Sequence, residues 1–205
     1  MKYNFYVSNV SVEAVFNRLG GTEGAKEFLR SELVLVDRDA AICRGNLLTF
    51  EGKVRTESRR FVVGESFVMG NPKVRFGYID ERIVRLFGKS QDVPAGEIAV
   101  HTLLVPSHDP EIMVALGPQS RRFIQLGQFY QLIEAQGHGQ EGPLLVNGCA
   151  YANNIPYVID DNGAPWALRA FWSLAKHWWH VNASPVSDPS AWYAGCQVFS
   201  QVSGG

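Results

Sequence analysis

The sequence predicts an α+β protein: a short N-terminal helix pair with a β-rich region, then a helix packed with a C-terminal tryptophan-rich antiparallel sheet. Three observations lead there. Apolar residues recur at helical spacing in a few short stretches. Around them stand short β-branched or aromatic runs cut by Gly, Pro and Asn, the mark of strands. All five tryptophans (Trp166, Trp172, Trp178, Trp179 and Trp192) fall in the last forty of 205 residues. With 46% hydrophobic and 19% charged residues and a formal net charge of −1, the chain is neither disordered nor collagen-like and has enough apolar surface for a core.

Ser11 to Leu19 reads as the first helix. Val12, Val15, Phe16 and Leu19 form one apolar stripe, Ser11 can accept a free first-turn N–H, and Gly20-Gly21 ends it. Thr22 can cap a second helix through Arg30, with Ala25, Phe28 and Leu29 on one side. The period then changes. Leu33 to Val36, Leu47 to Phe50, Phe61 to Val63 and Val74 to Ile79 read as strands, with a turn at Asn71-Pro72.

The polar, turn-rich stretch Gly88 to Gly96 reads as a linker, and charge changes sign across it. Residues 1–90 hold 15 basic and 11 acidic side chains, whereas residues 91–205 hold 4 and 9. The expectation is a basic α+β domain over 1–90 and an acidic one over 91–205.

In the second half, Glu97 to Val105 alternates like a strand. Asp109-Pro110-Glu111 reads as a helix start, with Asp109 as the cap. Ser120 can cap a longer helix to about Gln136, burying Phe123, Leu126, Tyr130 and Ile133 and exposing Gln125, Gln128, Gln131 and Glu134. Gly137-His138-Gly139 stops it. Ile155 to Asp160, the turn Asp161-Asn162-Gly163 and Ala164 to Ser173 make a hairpin. Trp178 to Val186 and Gly195 to Val202 complete a three- or four-stranded antiparallel sheet.

Three stretches resemble known proteins. Asn17 to Ala25 with Phe28 to Leu33, Leu144 to Gly148 with Ile155 to Val158, and Trp179 to Ser200 together resemble uncharacterised proteins of candidate-phylum bacteria of the Parcubacteria type. That likeness implies a bacterial source and an architecture, and no activity. The C-terminal segment, with its tryptophan-rich strand, Pro189 turn and Gly195 strand start, is similar to the C-type-lectin-like variable proteins of diversity-generating retroelements. Gly195-Cys196-Gln197-Val198 departs from their terminal Gly-Phe-Arg pattern.

The residues favour recognition over catalysis. Trp178 and Trp179 are adjacent, so in a strand they face opposite ways, and Trp179 continues inward through Val181 and Ala183. Trp178, His180 and Asn182 then share the outer face, and with Trp192 and Tyr193 they form the expected ligand site, for a protein or a carbohydrate. A first alternative is nucleic-acid binding through Arg55, Arg59, Arg60, Lys73, Arg75, Arg82 and Arg85, which are interleaved with acidic residues. A second is a cysteine-dependent hydrolase using Cys149 with His101 or His177, around which no family signature stands. His177 and His180 lack the partners of a metal site, and Gly137 to Gly142 lacks the Lys-Ser/Thr of a phosphate loop. No catalytic residue, cofactor or metal is expected. With no apolar run long enough for a bilayer and no leader pattern, the expected location is the cytoplasm, away from membranes.

Overall fold

The computed structural model describes residues 4–5, 34–35, 47–146 and 153–202. The chain groups into two units, Met1–Asn46 and Leu47–Gly205. In the first, β1 (Asn4–Phe5) pairs in parallel with β2 (Val34–Leu35). The helices expected over 11–19 and 22–30 lie outside the described residues.

The second unit is mixed, as an α+β fold should be. Its elements are β3 (Leu48–Thr56), β4 (Arg59–Phe61), α1 (Val63–Ser66), β5 (Phe76–Ile79), α2 (Glu81–Leu86), β6 (Gln91–Val93) and β7 (Gly96–Leu103). There follow α3 (Asp109–Ala115), α4 (Gln119–Arg122), α5 (Leu126–Ala135), β8 (Asn154–Ile159), β9 (Pro165–Ser173), β10 (Trp178–Pro185) and β11 (Gln197–Gln201).

Seven strands form one sheet in the order β3-β7-β11-β8-β9-β10-β5. The β8–β9 hairpin turns at Gly163, whose φ of +85° is the left-handed conformation glycine tolerates. Asp160 holds that turn by accepting from the backbone N–H of Asn162 and Ala164 and from the Trp166 indole. The sheet is larger and more mixed than the antiparallel one expected from the tail. β11 pairs in parallel with β8, and β10 in parallel with β5. β3 and β5 come from before residue 90, so the sheet draws on both sides of the expected domain boundary. The presumed linker itself contains β6, which pairs with β4. Pairing between distant segments leaves no trace in local periodicity, which is why the tail alone suggested fewer strands.

Three local expectations also change. Val63 opens α1 instead of ending a strand, and is fully buried there. The single helix over 120–136 is broken: Phe123 and Gln125 are extended, and Ile124 N–H donates to the Tyr157 carbonyl of β8. The chain has to leave the helical path there, because α3 and α5 serve opposite faces of the sheet. α5 packs Phe129 against Phe199 of β11 on the main-core face. The N-terminus of α3 meets the other face, where Asp109 accepts from Tyr157 of β8. Gln128, expected on the exposed side of its helix, is buried and bonded to Thr56 and Gln201.

The core face carries Ile98, Val100, Phe199, Val158, Leu168, Ala170, Trp172, Trp179, Val181 and Ala183, packed against α5 and the Phe61, Phe67, Phe76 and Tyr130 rings. Trp179 is 0% exposed, lies edge-on to Trp172 at 5.6 Å and donates from Nε1 to the Gln136 carbonyl at 2.9 Å. Trp178 lies on the outer face, half-buried instead of exposed. Trp179→Ala should therefore cost about 3–5 kcal/mol. Trp178→Ala removes a partly solvated ring and should cost roughly 1 kcal/mol. Urea melts compare them, and a larger loss for the Trp178 variant would invert this assignment of faces.

Candidate functional site

Strand alternation places Arg169 and Phe171 of β9 and Trp178, His180, Asn182 and Ser184 of β10 on the outer face, and the register shift at Gly77 brings Tyr78 of β5 to the same face. The register pairs Phe171 with His180, Asn182 with Arg169, and His180 with Tyr78. Three of the expected site residues, Trp178, His180 and Asn182, are thus together. Their chemistry is turned inward, however. The His180 ring stacks on Phe171 at 4.7 Å between centroids and 9° between planes, and on Tyr78 at 6.2 Å and 25°. Rings that close and that parallel stand on edge and spend their faces on one another. Arg169 extends the row, its guanidinium carbon 5.0 Å from the Phe171 centroid. Trp178 Nε1 donates to His180 Nε2 at 2.7 Å, which puts the imidazole proton on Nδ1. Burial, then the Arg169 charge, hold the His180 pKa below its ordinary value. His180 is a neutral, doubly stacked acceptor here.

The outer face changes character at Arg169. There a cleft of about 390 Å³ opens, lined by Asp109, Asn153, Arg169, Ser184 and the loop residues Asp188, Ser190, Ala191, Trp192 and Tyr193. Each wall has a local cause. Asp109 is not the helix cap the sequence suggested. His108 takes that place, its N–H donating to Glu111. Asp109 moves to the first helical position, and its side chain turns to the sheet instead. Its Oδ1 accepts from Tyr157 Oη at 2.7 Å and from Trp192 Nε1 at 2.5 Å. Trp192 is further pinned by two backbone hydrogen bonds exchanged with Ser107. The loop wall is therefore anchored before any ligand arrives. Asp188 accepts from the Ser190 N–H, which closes the turn, and the Ser190 side chain, then its backbone N–H, keep the Asp188 carboxyl below the usual range. Arg169 Nε donates to Asn153 Oδ1 at 2.6 Å.

Trp192 and Tyr193 of the expected set line this cleft, with Tyr193 53% exposed. The structure thus divides the five residues: Trp178 and His180 engage one another in the stacked row, Asn182 stands beside them on the same face, and Trp192 and Tyr193 line the open cleft, with Arg169 belonging to both row and cleft. Sequence reading missed Asp109, Asn153 and Arg169. They are spread over sixty residues of sequence, and Asp109 beside Pro110 pointed to helix capping.

The other sequence candidates fall out differently. His177 sits in the β9–β10 turn with φ +55° and its ring near Trp172, on the opposite side of the sheet from His180. His101 bonds Ser200. Cys149 lies outside the described residues. Gly137 to Gly142 is a packed turn: Gly139 lies against the Trp172 indole and Gly137 against the Lys73 carbonyl, so close that a Cβ would collide. Of the basic residues, Arg55 pairs with Glu97, Arg59 and Lys73 share Glu134, and Arg82 pairs with Asp80. Much of the positive charge of that region is thereby matched locally. Among the described residues no group of three or more His, Cys, Asp or Glu could hold a metal, and no helix is long and apolar enough to cross a membrane. No family model, curated protein or solved structure matches the chain.

Two predictions follow the geometry. A Cβ at Gly77 would lie 2.3 Å from three ring atoms of Trp178, so the indole occupies the space above that glycine. Gly77→Ala should displace it and cost roughly 1–3 kcal/mol. Combining it with Trp178→Ala should recover part of that loss, a coupling read from a double-mutant cycle of urea melts. The second concerns Asp109. Burial pushes its carboxyl above the ordinary range, outweighing the bonds from Tyr157 and Trp192. The folded state thus holds this proton more tightly than the unfolded one. Its stabilising effect is full below the unfolded pKa and is lost as pH rises through the folded pKa. Asp109→Asn keeps an oxygen for both donors. Its Tm relative to the parent should therefore climb as pH is raised from about 4 to 7.5, and a flat or falling difference would refute the assignment.

Proposed function

We propose that the chain is a non-enzymatic recognition module that takes its ligand in the cleft between the N-terminus of α3 and the Pro185–Cys196 loop. The observation that carries this is the cleft's composition. An exposed Tyr193 and a fixed Trp192 stand beside the hydrogen-bonding side chains of Asp109, Asn153, Arg169 and Ser184. An aromatic wall with a few convergent polar groups suits a compact ligand that has a ring or apolar body edged with polar groups. A saccharide unit and a protein side chain or terminus both have that form. The pinned loop supports the reading, because a preformed wall spares the ordering cost of binding. The segment resembling the variable face of C-type-lectin-like proteins supplies Ser184, Asp188, Ser190, Trp192 and Tyr193, a further support.

The test follows the five indole N–H resonances while saccharides and short peptides are titrated. The Trp192 signal should move, and Trp192→Phe should weaken binding about tenfold or more, as a contact at the centre of a site does. Trp178→Phe should leave affinity within about twofold. Shifts confined to Trp178, or no shift with any compound, would remove the cleft as the site.

A further inference from the structure

Both hydrogen bonds that Asp109 accepts go to one oxygen, Oδ1. Among the described residues, nothing donates to Oδ2. Asp109 is 1% exposed, yet it lines the cleft. Oδ2 is not among the sealed polar atoms that lack a partner, so its lone pairs are reached from the cleft and are open to a donor on a ligand. The two bonds that are made do not require a charge. An amide oxygen has two lone pairs and would serve Tyr157 and Trp192 equally well. The charge is therefore unnecessary to the structural task, and the desolvation that raises the carboxyl pKa makes it unfavourable for stability.

We propose that Asp109 is the anchor for a positively charged amino group on the ligand, with Oδ2 as its acceptor. The proposal rests on reading the cleft as the ligand site and names the ligand's chemistry. An ammonium carries three donors and a full charge, and charge-assisted hydrogen bonds are roughly twice as strong as neutral ones. A ligand hydroxyl would satisfy Oδ2 but leave the buried charge unopposed. The surroundings point the same way. Asp188 adds a second negative charge to the same cleft, and its effect on Asp109 is to disfavour ionisation, which an incoming cation reverses. The rings of Trp192 and Tyr193 border the space, and aromatic faces attract cations. Arg169 is the cationic lining residue, and its guanidinium leans on Phe171 and bonds Asn153. An amine of this kind could come from an amino sugar or from an amino acid or peptide.

The experiment uses matched pairs on the full chain at pH 7.5: glucosamine against glucose, and benzylamine against benzyl alcohol, with the Trp192 indole N–H as the reporter. In at least one pair the amine should bind about tenfold more tightly than its hydroxyl partner. The pair that shows this preference distinguishes an amino sugar from a simple amine source. In Asp109→Asn the preference should fall to about twofold or less. The unliganded Trp192 resonance of that variant reports whether the variant is folded with its indole bond intact. Should it fail to fold, Asp109→Glu, which keeps the charge and shifts Oδ2, should weaken the amine more than the hydroxyl compound. Equal binding of amine and hydroxyl partners, or an amine preference that survives Asp109→Asn, overturns the amino-group assignment while leaving the cleft as the site. If none of the four compounds moves the Trp192 resonance up to its solubility limit, the cleft and the anchor fall together.

Discussion

Burial of β8 and β11 on both faces is the constraint from which the rest of the second unit follows. Ile155, Tyr157 and Val198 face away from the main core and are still fully buried, as are Val158 and Phe199 on the core side. Strands sealed on both sides need a cover on both sides. α5 supplies one; on the other side Ile112 of α3 and Leu116 just beyond it are buried, and α4 lies against β11. The chain must pass from one face to the other between them. It does so in an extended step at Phe123–Gln125, with Ile124 bonded alongside β8 where β11 no longer pairs. The second cover is short. It begins at Asp109 and leaves β9, β10 and β5, three of the seven strands, more open on the outer face, and the cleft lies at that border. The position of the site is a consequence of where the cover begins.

Tryptophan holds the arrangement together through its nitrogen as much as through its area. Trp166 donates to Asp160, Trp178 to His180, Trp179 to the Gln136 carbonyl and Trp192 to Asp109. Three of these bonds tie a strand or loop to a different element, and the Trp178 bond stays within β10, so the rings fix register and connection while they fill space. Gln136 shows the same economy from the polar side. Buried at the end of α5, it bonds Gln140 and both backbone groups of Leu144. That network folds the 137–144 segment down onto Trp172 and leaves room there only for glycine.

How much of this was legible in the sequence depended on range. The β8–β9 hairpin, the β10 and β11 strands and the inward facing of Trp179 rest on alternation and one Asn-Gly turn, all local signals. The partners of the outer strands, β3 beside β7 and β5 beside β10, depend on segments more than forty and a hundred residues away, and no periodicity encodes them. The break before α5 was hidden because Phe123, Leu126 and Tyr130 keep helical spacing across it. For the site, the aromatic residues announced themselves by their clustering. Asp109, Asn153 and Arg169 had ordinary local readings, as cap, loop and strand residues, and acquire their significance only when three elements meet.

The two halves of the expected site also illustrate why exposure and aromatic content alone are poor guides to recognition. The Tyr78–His180–Phe171–Arg169 row is partly solvated and rich in rings, yet its faces and the His180 acceptor are already engaged by neighbours. A ligand there would have to compete with contacts the protein makes at no ordering cost. The cleft differs in one respect that matters energetically: Oδ2 of Asp109 has no donor among the described residues and is reached from the cleft, so a ligand cation can meet a carboxylate oxygen that the fold's own bonds do not occupy. Stability alone would favour an uncharged residue at position 109. A carboxylate that the fold does not require, held rigidly by Tyr157 and Trp192 and opening onto solvent on one side, is the part of this surface best suited to discriminate between ligands.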